Sequence, residues 1–308
     1  MIHAQSLTKR YGAKTAVDGI DFSVAAGRVT GFLGPNGAGK STTMRMIVGL
    51  DRPTVGAVTV NGKAYASHRA PLREVGVLLE ARAVHPGRSA RNHLRALAMT
   101  HRIGSARVDE VIELAGLSSV AHKRAGSFSL GMGQRLGLAA ALLGDPPTLI
   151  LDEPVNGLDP AGVAWFRQLA RQLAAEGRTV FLSSHLMSEM AQTADHLIIL
   201  GRGRVLVDAP LSEIVANAGE ATMRVRSGDP ARLEALMLGA GADVTRTDTD
   251  LLSVRGVEAA RISQISAGAG ITVYELAPAS SSLEDAYMNL TREEVEYAAA
   301  STGSEKTR

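Results

Sequence analysis

Residues 34 to 42 read Gly34-Pro35-Asn36-Gly37-Ala38-Gly39-Lys40-Ser41-Thr42, and this stretch decides the fold. It matches G-x-x-x-x-G-K-[ST], the pattern of a phosphate-binding loop. The glycines allow backbone conformations that a Cβ forbids, and the bare amides then form a nest for an anion. In this pattern Lys40 reaches the β- and γ-phosphates, and the hydroxyl of Ser41 ligates Mg²⁺. The stretch therefore predicts a nucleotide site.

The residues on either side of the loop support the same interpretation. Arg28–Leu33 is predicted to be a strand and Ser41–Val48 a helix, so that the helix N-terminus faces the phosphates. The alternative is an accidental glycine-rich turn, which the flanking strand and helix disfavour. The loop by itself leaves open whether the protein is a kinase, a switch GTPase, a motor or the ATPase of a transporter.

The composition limits the class of protein. The chain has 308 residues, 45% of them hydrophobic, which is enough for one sizeable domain and a smaller one. It shows neither an apolar run of membrane-spanning length nor a signal peptide pattern, so we expect it not to cross a bilayer. The absence of cysteine excludes disulfides and cysteine-ligated zinc and fits a reducing cytoplasm. A net charge of +2 gives no reason to expect nucleic acid as a partner.

One stretch is strongly basic. Between His68 and Arg107 eight arginines face two glutamates, Glu74 and Glu80; the arginines are Arg69, Arg73, Arg82, Arg88, Arg91, Arg95, Arg102 and Arg107. Two interpretations stay open. The stretch is either a solvated face or a surface for anionic lipid headgroups or an acidic partner.

Strands that alternate with helices predict an α/β fold with a largely parallel core sheet. The predicted strands are Ile2–Leu7, Val17–Val24, Arg28–Leu33, Val75–Leu79, Thr148–Leu151, Thr179–Ser183, His196–Leu200 and Val205–Val207. A polar turn at Lys9–Gly12 joins the first two strands, and Gly56–Lys63 is predicted to be a hairpin that turns at Asn61-Gly62. Ser89–Leu143 is predicted to be helical with Ser89 as N-cap, and Ala161–Ala175 to be a further helix.

A change of composition at Asn217-Ala218-Gly219 indicates a second domain. Beyond it the predicted order is strand, helix, strand, strand, helix, strand, which is typical of a small ferredoxin-like α+β unit. We therefore predict a first domain over residues 1–216, a second over residues 220–298 and a disordered tail over residues 299–308.

Two carboxylates follow the apolar strand Thr148–Leu151, namely Asp152 and Glu153. A carboxylate at this place is well positioned for the Mg²⁺ of a bound nucleotide, and a second one beside it can polarise the attacking water as a general base. The alternative is an ordinary acidic surface turn. This interpretation is weaker because the same chain contains a phosphate loop.

A second helix start suited to phosphate lies between these motifs, in the run Ser127–Leu136. Ser129 followed by Gly131 leaves backbone amides accessible at the start of a helix. One compact site cannot use two helix ends together with Lys40 on the same γ-phosphate. The second end is therefore expected to serve a nucleotide held by another subunit, unless Ser129 is only an N-cap.

Together these motifs resemble the ATP-binding subunits of ABC transporters. The matching motifs, in family order and spacing, are the loop Gly34–Thr42, the signature Ser129–Met132, the strand end Leu149–Pro154, the run Asn156–Asp159 and His185. The resemblance covers roughly residues 1–215. It is strongest toward the drug- and bacitracin-resistance type of exporter ATPase, whose C-terminal extension ends in a run similar to Ser282–Thr291.

The resemblance implies a fold and a role for each matching residue. The fold is an ABC ATPase domain with a parallel core sheet, an antiparallel β subdomain and a helical subdomain at about residues 85–145. Tyr11 would stack on the adenine, Glu153 would be the general base, and His185 would contact the γ-phosphate. Mg²⁺ would be held by Ser41, Asp152 and Glu80. The implied nucleotide contacts are Tyr11, Gly34, Pro35, Asn36, Gly37, Ala38, Gly39, Lys40, Ser41, Thr42, Glu80, Ser129, Gly131 and Asp159.

The sequence departs from the family pattern at two places. The signature reads Phe128-Ser129-Leu130-Gly131-Met132 where most relatives have Leu-Ser-Gly-Gly-Gln. Glu80 stands where most relatives have glutamine, and a carboxylate accepts hydrogen bonds but does not donate them as an amide does. Our hypothesis is that Glu80 senses Mg²⁺ and relays the nucleotide state to a membrane partner; a tolerant loop position is the alternative.

The implied function is ATP hydrolysis by a dimer of two copies around two ATP, which powers a separate membrane permease. The expected cargo is drugs, antibiotics or other small hydrophobic compounds that are exported, and the expected location is cytoplasmic, on the inner face of the membrane. The alternative is a soluble ABC-type ATPase acting on nucleic acid or ribosomes. Such proteins tend to carry coiled coils, zinc hooks or two cassettes, which this sequence lacks. A non-catalytic nucleotide-gated module is disfavoured by Glu153 and His185.

Overall fold

The computed structural model describes residues 1–80, 84–217 and 222–278, together with Leu283 and Tyr287. The strands in these ranges are β1 (Ile2–Tyr11), β2 (Lys14–Val24), β3 (Arg28–Leu33), β4 (Val55–Val60), β5 (Val75–Leu78), β6 (Thr148–Leu151), β7 (Thr179–Ser184), β8 (His196–Gly201), β9 (Arg204–Pro210), β10 (Met223–Ser227), β11 (Asp243–Arg246), β12 (Leu251–Arg255) and β13 (Val273–Pro278). The α-helices in the same ranges are α1 (Lys40–Ile47), α2 (Pro71–Glu74), α3 (Ala90–Thr100), α4 (Ser105–Leu114), α5 (Leu130–Leu142), α6 (Pro160–Ala175), α7 (Met187–Thr193), α8 (Leu211–Asn217), α9 (Pro230–Gly239) and α10 (Ala259–Gly268). None of these helices is long and apolar enough to cross a membrane.

The core sheet has the spatial order β5-β6-β7-β3-β8-β9 and is parallel except for its last strand, β9. Every residue of β6, β7 and β8 is buried. Both faces of these strands are covered, which explains why they read as continuous apolar runs in the sequence. The parallel arrangement brings the carboxyl ends of β3, β5, β6 and β7 to one edge of the sheet.

A smaller antiparallel sheet, in the order β2-β1-β4, packs beside the core sheet. Phe22 of β2 lies with its ring centroid 5.8 Å from that of Phe32 in β3 and 6.0 Å from that of Phe181 in β7. These three rings belong to one apolar core that both sheets share.

Two local predictions for the small sheet are wrong. Gly56–Lys63 is not a hairpin, because β4 pairs with β1, and the turn after Val60 closes only a single bridge to Lys63. Tyr11 does not lie in the connecting turn, because β1 continues to Tyr11, which pairs with Lys14 of β2. In both cases pairing with a strand distant in sequence overrides the local turn signal.

The helical region predicted for Ser89–Leu143 consists of α3, α4 and α5, which lie between β5 and β6 in the sequence. The predicted cap at Ser89 is confirmed, because its hydroxyl accepts a hydrogen bond from the amide of Asn92 at 3.2 Å. Val108, Val111 and Ile112 are buried on one face of α4, as their helical spacing predicts.

The chain divides into two compact units, the first formed by residues 1–211 and the second beginning at Ser212. The second unit has the order β10-α9-β11-β12-α10-β13 and one antiparallel sheet in the spatial order β11-β12-β10-β13. This is the predicted ferredoxin-like arrangement. The predicted tail at 299–308 and most of the run Ser282–Thr291 lie outside the described residues; of that run Leu283 and Tyr287 are buried.

Candidate nucleotide site

The phosphate loop joins the carboxyl end of β3 to the start of α1. Gly39 caps α1 with a φ of 104°, and a Cβ at this position would lie 2.6 Å from the carbonyl oxygen of Ala16. A side chain is therefore excluded at Gly39. Asn36 and Gly37 are exposed, whereas Gly34 and Ala38 are buried. No side chain caps α1, so its first backbone amides stay available for an anion.

Lys40 is the first residue of α1 and is buried within the loop. Its Nζ donates to the carbonyl oxygens of Gly34 at 2.6 Å and Pro35 at 3.2 Å. Burial lowers the pKa of Lys40, while the charges of Glu153 and Asp152 act in the opposite direction. The ammonium group thus lies in the field of the two predicted carboxylates.

Ser183 at the end of β7 organises both of these carboxylates. Leu151 and Leu182 are partners in the parallel register of β6 and β7, which places Ser183 beside Asp152 and Glu153. The Ser183 hydroxyl donates to the carboxylate of Asp152 and accepts from the backbone amide of Glu153 at 3.0 Å. Glu153 itself has a φ of 49°, a left-handed conformation that non-glycine residues rarely adopt and that is found at functional sites.

The predicted general base and the predicted switch residue are in direct contact. Nδ1 of His185 lies 2.8 Å from Oε2 of Glu153. The Glu153 side chain is 25% exposed and that of His185 48% exposed, so both remain accessible from solvent. Glu153, which follows β6, and His185, which follows β7, therefore form an acid–base pair at the edge of the sheet where Lys40 lies.

Tyr11, at the end of β1, is held by groups that the sequence analysis missed. Its hydroxyl donates to Oδ2 of Asp51 at 3.0 Å, and Nε of Arg45 donates to the same oxygen at 2.8 Å. Nζ of Lys9 lies 4.9 Å from the ring centroid. Burial and the hydrogen bond to Asp51 raise the pKa of Tyr11. Asp51, Arg45 and Lys9 are charges outside any motif, so nothing in the sequence pointed to them.

Glu80, Ser41 and Asp152, the predicted metal ligands, lie at or near this edge of the sheet. Glu80 is exposed two residues after β5, and its charge contributes to the raised pKa of Arg45. Among the described residues no group of three or more His, Cys, Asp or Glu side chains can hold a metal. Ser41 and Asp152 still offer oxygen atoms, and Mg²⁺ typically combines one or two protein ligands with substrate phosphates and water.

The signature residues begin α5. The Ser129 hydroxyl accepts from the backbone amide of Met132 at 3.2 Å and so caps the helix. A Cβ at Gly131 would lie 2.8 Å from the carbonyl oxygen of Gly157, so Gly131 allows α5 to approach the loop before α6. In that loop Oδ1 of Asp159 accepts from the amide of Gly162 at 2.9 Å, which caps α6. The predicted nucleotide contact of Asp159 stays a prediction.

Gln134, one turn into α5, connects the signature to the catalytic edge. Its side chain is buried, and Nε2 donates to the backbone carbonyl of Glu153 at 2.9 Å. A polar residue on the buried face of a mainly apolar helix was the only sequence signal for this contact. Gln134 therefore binds the carbonyl of Glu153, while Ser183 binds the amide of the same residue.

A phosphate loop, an adjacent pair of carboxylates and a histidine at one edge of a parallel sheet define a phosphate-loop nucleotide hydrolase. A sequence profile described as ABC transporter matches residues 17–156, and one described as a domain of unknown function matches residues 221–284. The chain belongs to the family of ABC transporter ATP-binding proteins, and it is an ATPase.

Relatives and solved structures support this assignment. The bacitracin transport ATP-binding protein of Bacillus licheniformis is 42% identical over 70% of this chain and 71% of that protein. The Nod factor export ATP-binding protein of Rhizobium meliloti is 35% identical over 96% of this chain and 89% of that protein. The dimeric structure of a bacterial ABC transporter cassette is similar with a TM-score of 0.63 and 25% identity, over 68% of this chain and 99% of that chain.

Proposed function

We propose that this chain is the ATP-hydrolysing subunit of an ABC exporter, which closes as a dimer around two ATP and powers a separate membrane permease. The contact between Glu153 and His185, beside the phosphate loop, carries the proposal, because their side-chain atoms lie 2.8 Å apart. Glu153 is the base that accepts a proton from the attacking water, and His185 orients the carboxylate and contacts the γ-phosphate.

The surrounding residues have distinct roles in this proposal. Lys40 and the first amides of α1 hold the β- and γ-phosphates. Asp152, oriented by Ser183, and Ser41 hold Mg²⁺, with Glu80 near the same phosphates. The metal supplies neutralisation of charge that develops on the phosphate oxygens. Tyr11, held in position by Asp51, stacks on the adenine.

Dimerisation follows from the incompleteness of each site. Ser129 and Gly131 begin α5, whereas Lys40 and the first amides of α1 bind the phosphates from one side only. A second copy of the chain would bring its own Ser129 and Gly131 onto the nucleotide held by Lys40. The similarity to a cassette solved as a dimer supports this arrangement.

The exporter part of the proposal rests on the relatives. A bacitracin transport protein and a Nod factor export protein are both similar to this chain. We therefore propose export of drugs, antibiotics or other small hydrophobic compounds by a membrane permease partner, with this chain at the inner face of the membrane. The relatives also make action on nucleic acid or ribosomes the weaker alternative.

The substitution Glu153→Gln tests the proposal. Loss of a general base lowers kcat by about 100-fold or more, while ATP affinity is retained because Lys40 and α1 are unchanged. Size-exclusion chromatography with ATP should then show a stable dimer, and purification from membranes should recover a membrane protein with it. Glu113→Gln, a change of an exposed glutamate on α4, is the matched control and should leave the rate unchanged. An unchanged rate in Glu153→Gln, or recovery of ribosomes or DNA instead of a membrane protein, would contradict the proposal.

A further inference from the structure

Three of the arginines in the basic stretch converge on one cleft that the nucleotide site does not use. We propose that this cleft, which we call the arginine cleft, binds a phosphate group. Its charged lining consists of Arg73, Arg102, Arg107 and Asp145, and its volume is about 280 Å³. This space is many times what a single water needs, so a phosphate group fits.

The arginine cleft is a built feature with fixed walls. Nη2 of Arg107 donates to the carbonyl oxygen of Leu142 at 2.8 Å, at the C-terminal end of α5, and Nη1 donates to Glu110 at 2.6 Å. A Cβ at Gly144 would collide with the carbonyl oxygen of Leu72, so glycine lets the end of α5 approach α2. Arg107 is therefore held in place by the helices that form the cleft.

Charge makes the arginine cleft specific for an anion. The lining carries three guanidinium groups and one carboxylate, that of Asp145, which Arg107 and Arg178 bind at 3.4 and 2.7 Å. Glu110 also binds Arg107, so the unpaired positive charge of the cleft comes from Arg73 and Arg102. Within the part of the chain that the structure describes, the guanidinium groups of Arg73 and Arg102 have no hydrogen-bond or ion-pair partner. Guanidinium groups bind phosphate oxygens in a bidentate manner, which makes a phosphate the fitting class of ligand.

The backbone at the start of α4 supports the same class of ligand. Gly104 lines the cleft and caps α4 without a side-chain hydrogen bond, so the first amides of the helix are available to an anion alongside the two free guanidinium groups. Helix α4 has ten residues, long enough for its N-terminal dipole to contribute.

The arginine cleft is separate from the nucleotide site. Arg73 precedes β5 and Asp145 precedes β6, whereas Glu80 and Asp152 follow the same strands. A four-residue strand is roughly 13 Å long, so the two sites lie at opposite edges of the sheet. One bound nucleotide cannot reach both, and the proposal does not depend on the function proposed above.

Site-resolved amide exchange tests the proposal in the full chain. Inorganic phosphate should slow exchange at Gly104–Arg107, and the double substitution Arg73→Gln with Arg102→Gln should weaken this effect by about tenfold or more, because charge-assisted hydrogen bonds are lost. Protection of Gly34–Thr42 by phosphate should be the same in both proteins. The matched control is Arg232→Gln with Arg261→Gln, two exposed arginines of the second unit. The ATPase rate verifies that the variants are folded.

A second experiment, with lipid vesicles, distinguishes a lipid headgroup from a soluble phosphate ester as the source of the phosphate. Phosphatidylcholine vesicles with about one third phosphatidylglycerol present lipid phosphates under a negative surface potential. Cosedimentation that falls about tenfold in the arginine variant, but not in the control, assigns the site to a lipid headgroup. Equal cosedimentation of both variants assigns it to a soluble phosphate ester. Absence of phosphate-dependent protection at Gly104–Arg107, or identical protection in the arginine variant, would overturn the proposal.

Discussion

Helices α1 and α5 both begin at positions suited to a phosphate, but they are built differently. Gly39 caps α1 in a left-handed conformation and leaves the amides of α1 without a side-chain partner. Ser129 caps α5 with its own hydroxyl, which binds the amide of Met132. Lys40, Asp152 and Glu153 surround the start of α1, whereas the start of α5 lies against the loop containing Gly157.

The difference indicates a division of labour between the two helix starts. The start of α1 has the amides, the cation and the carboxylates that phosphate binding and hydrolysis require. The start of α5 has a hydroxyl and a glycine but no catalytic group, so it can only complete a site that other residues build. Within the same chain, α5 contacts the site through the hydrogen bond from Gln134 to the backbone carbonyl of Glu153. Four substitutions test this division, from the largest expected effect to the smallest.

The largest effect is expected at the start of α1. Lys40→Ala removes the buried ammonium group, and loss of its charge-assisted bonds to phosphate should weaken ATP binding by about 3 kcal/mol, or roughly 100-fold. Isothermal titration with a non-hydrolysable ATP analogue measures this loss. Lys63→Ala, which removes an exposed lysine in the turn after β4, is the control and should cost much less. Equal losses in the two variants would contradict a special role for α1.

A Cβ at Gly131 tests how closely α5 must approach its neighbour. Gly131→Ala places a methyl group 2.8 Å from the carbonyl oxygen of Gly157, and such overpacking should lower the free energy of unfolding by about 2 kcal/mol. The ATPase rate should fall, whereas ATP affinity should not, because α1 is unchanged. Gly268→Ala in α10, where a Cβ meets open space, is the control and should be neutral or stabilising. Urea unfolding and ATPase assays measure both quantities.

The link between the two helices is tested at Gln134. Gln134→Leu removes one of the two donors to the carbonyl of Glu153, leaving the amide of Asn156 at 3.1 Å, and should cost about 1.5 kcal/mol of stability. The kcat for ATP should fall with little change in ATP affinity, because the backbone of Glu153 loses one of the side chains that position it. Gln192→Leu removes an exposed amide that donates to Ser188 at 3.3 Å and should have no effect on kcat. A pure stability loss in Gln134→Leu would mean that the bond is only structural.

The smallest effect is expected from two matched helix caps. Ser129 and Ser89 each accept a backbone hydrogen bond at 3.2 Å, so Ser→Ala at either position should cost about 1 kcal/mol of stability. Only Ser129→Ala should also lower the ATPase rate, because Ser89 lies outside the proposed dimer site. Thermal unfolding and ATPase assays on the two variants compare them directly. Equal ATPase rates would mean that Ser129 is an ordinary cap.

The parts that were predictable are those with a local sequence pattern. The phosphate loop, the strand before Asp152 and the order of elements in the second unit follow from spacing over a few residues, and the structure has all of them. The hairpin at Gly56–Lys63 was wrong because strand pairing across the sheet is not encoded by a turn signal.

The residues that were missed act through contacts between distant segments. Ser183 reaches Asp152 because β6 and β7 are parallel neighbours, and Asp51 reaches Tyr11 across 40 residues of sequence. Gln134 stands out in α5 as a polar residue, but the sequence does not say what it binds. Such roles depend on the register and packing of the whole unit, which periodicity does not reveal.

The bond between Gln134 and Glu153 also limits how this protein can be recombined with its relatives. A chimera that exchanges the helical region between β5 and β6 replaces the donor side chain but keeps the acceptor backbone. Two parental sequences are then compatible at this junction only if the incoming helix carries a side-chain donor of the same reach at position 134. Because any residue at position 153 supplies the acceptor carbonyl, the helices can be exchanged as a module when position 134 keeps such a donor.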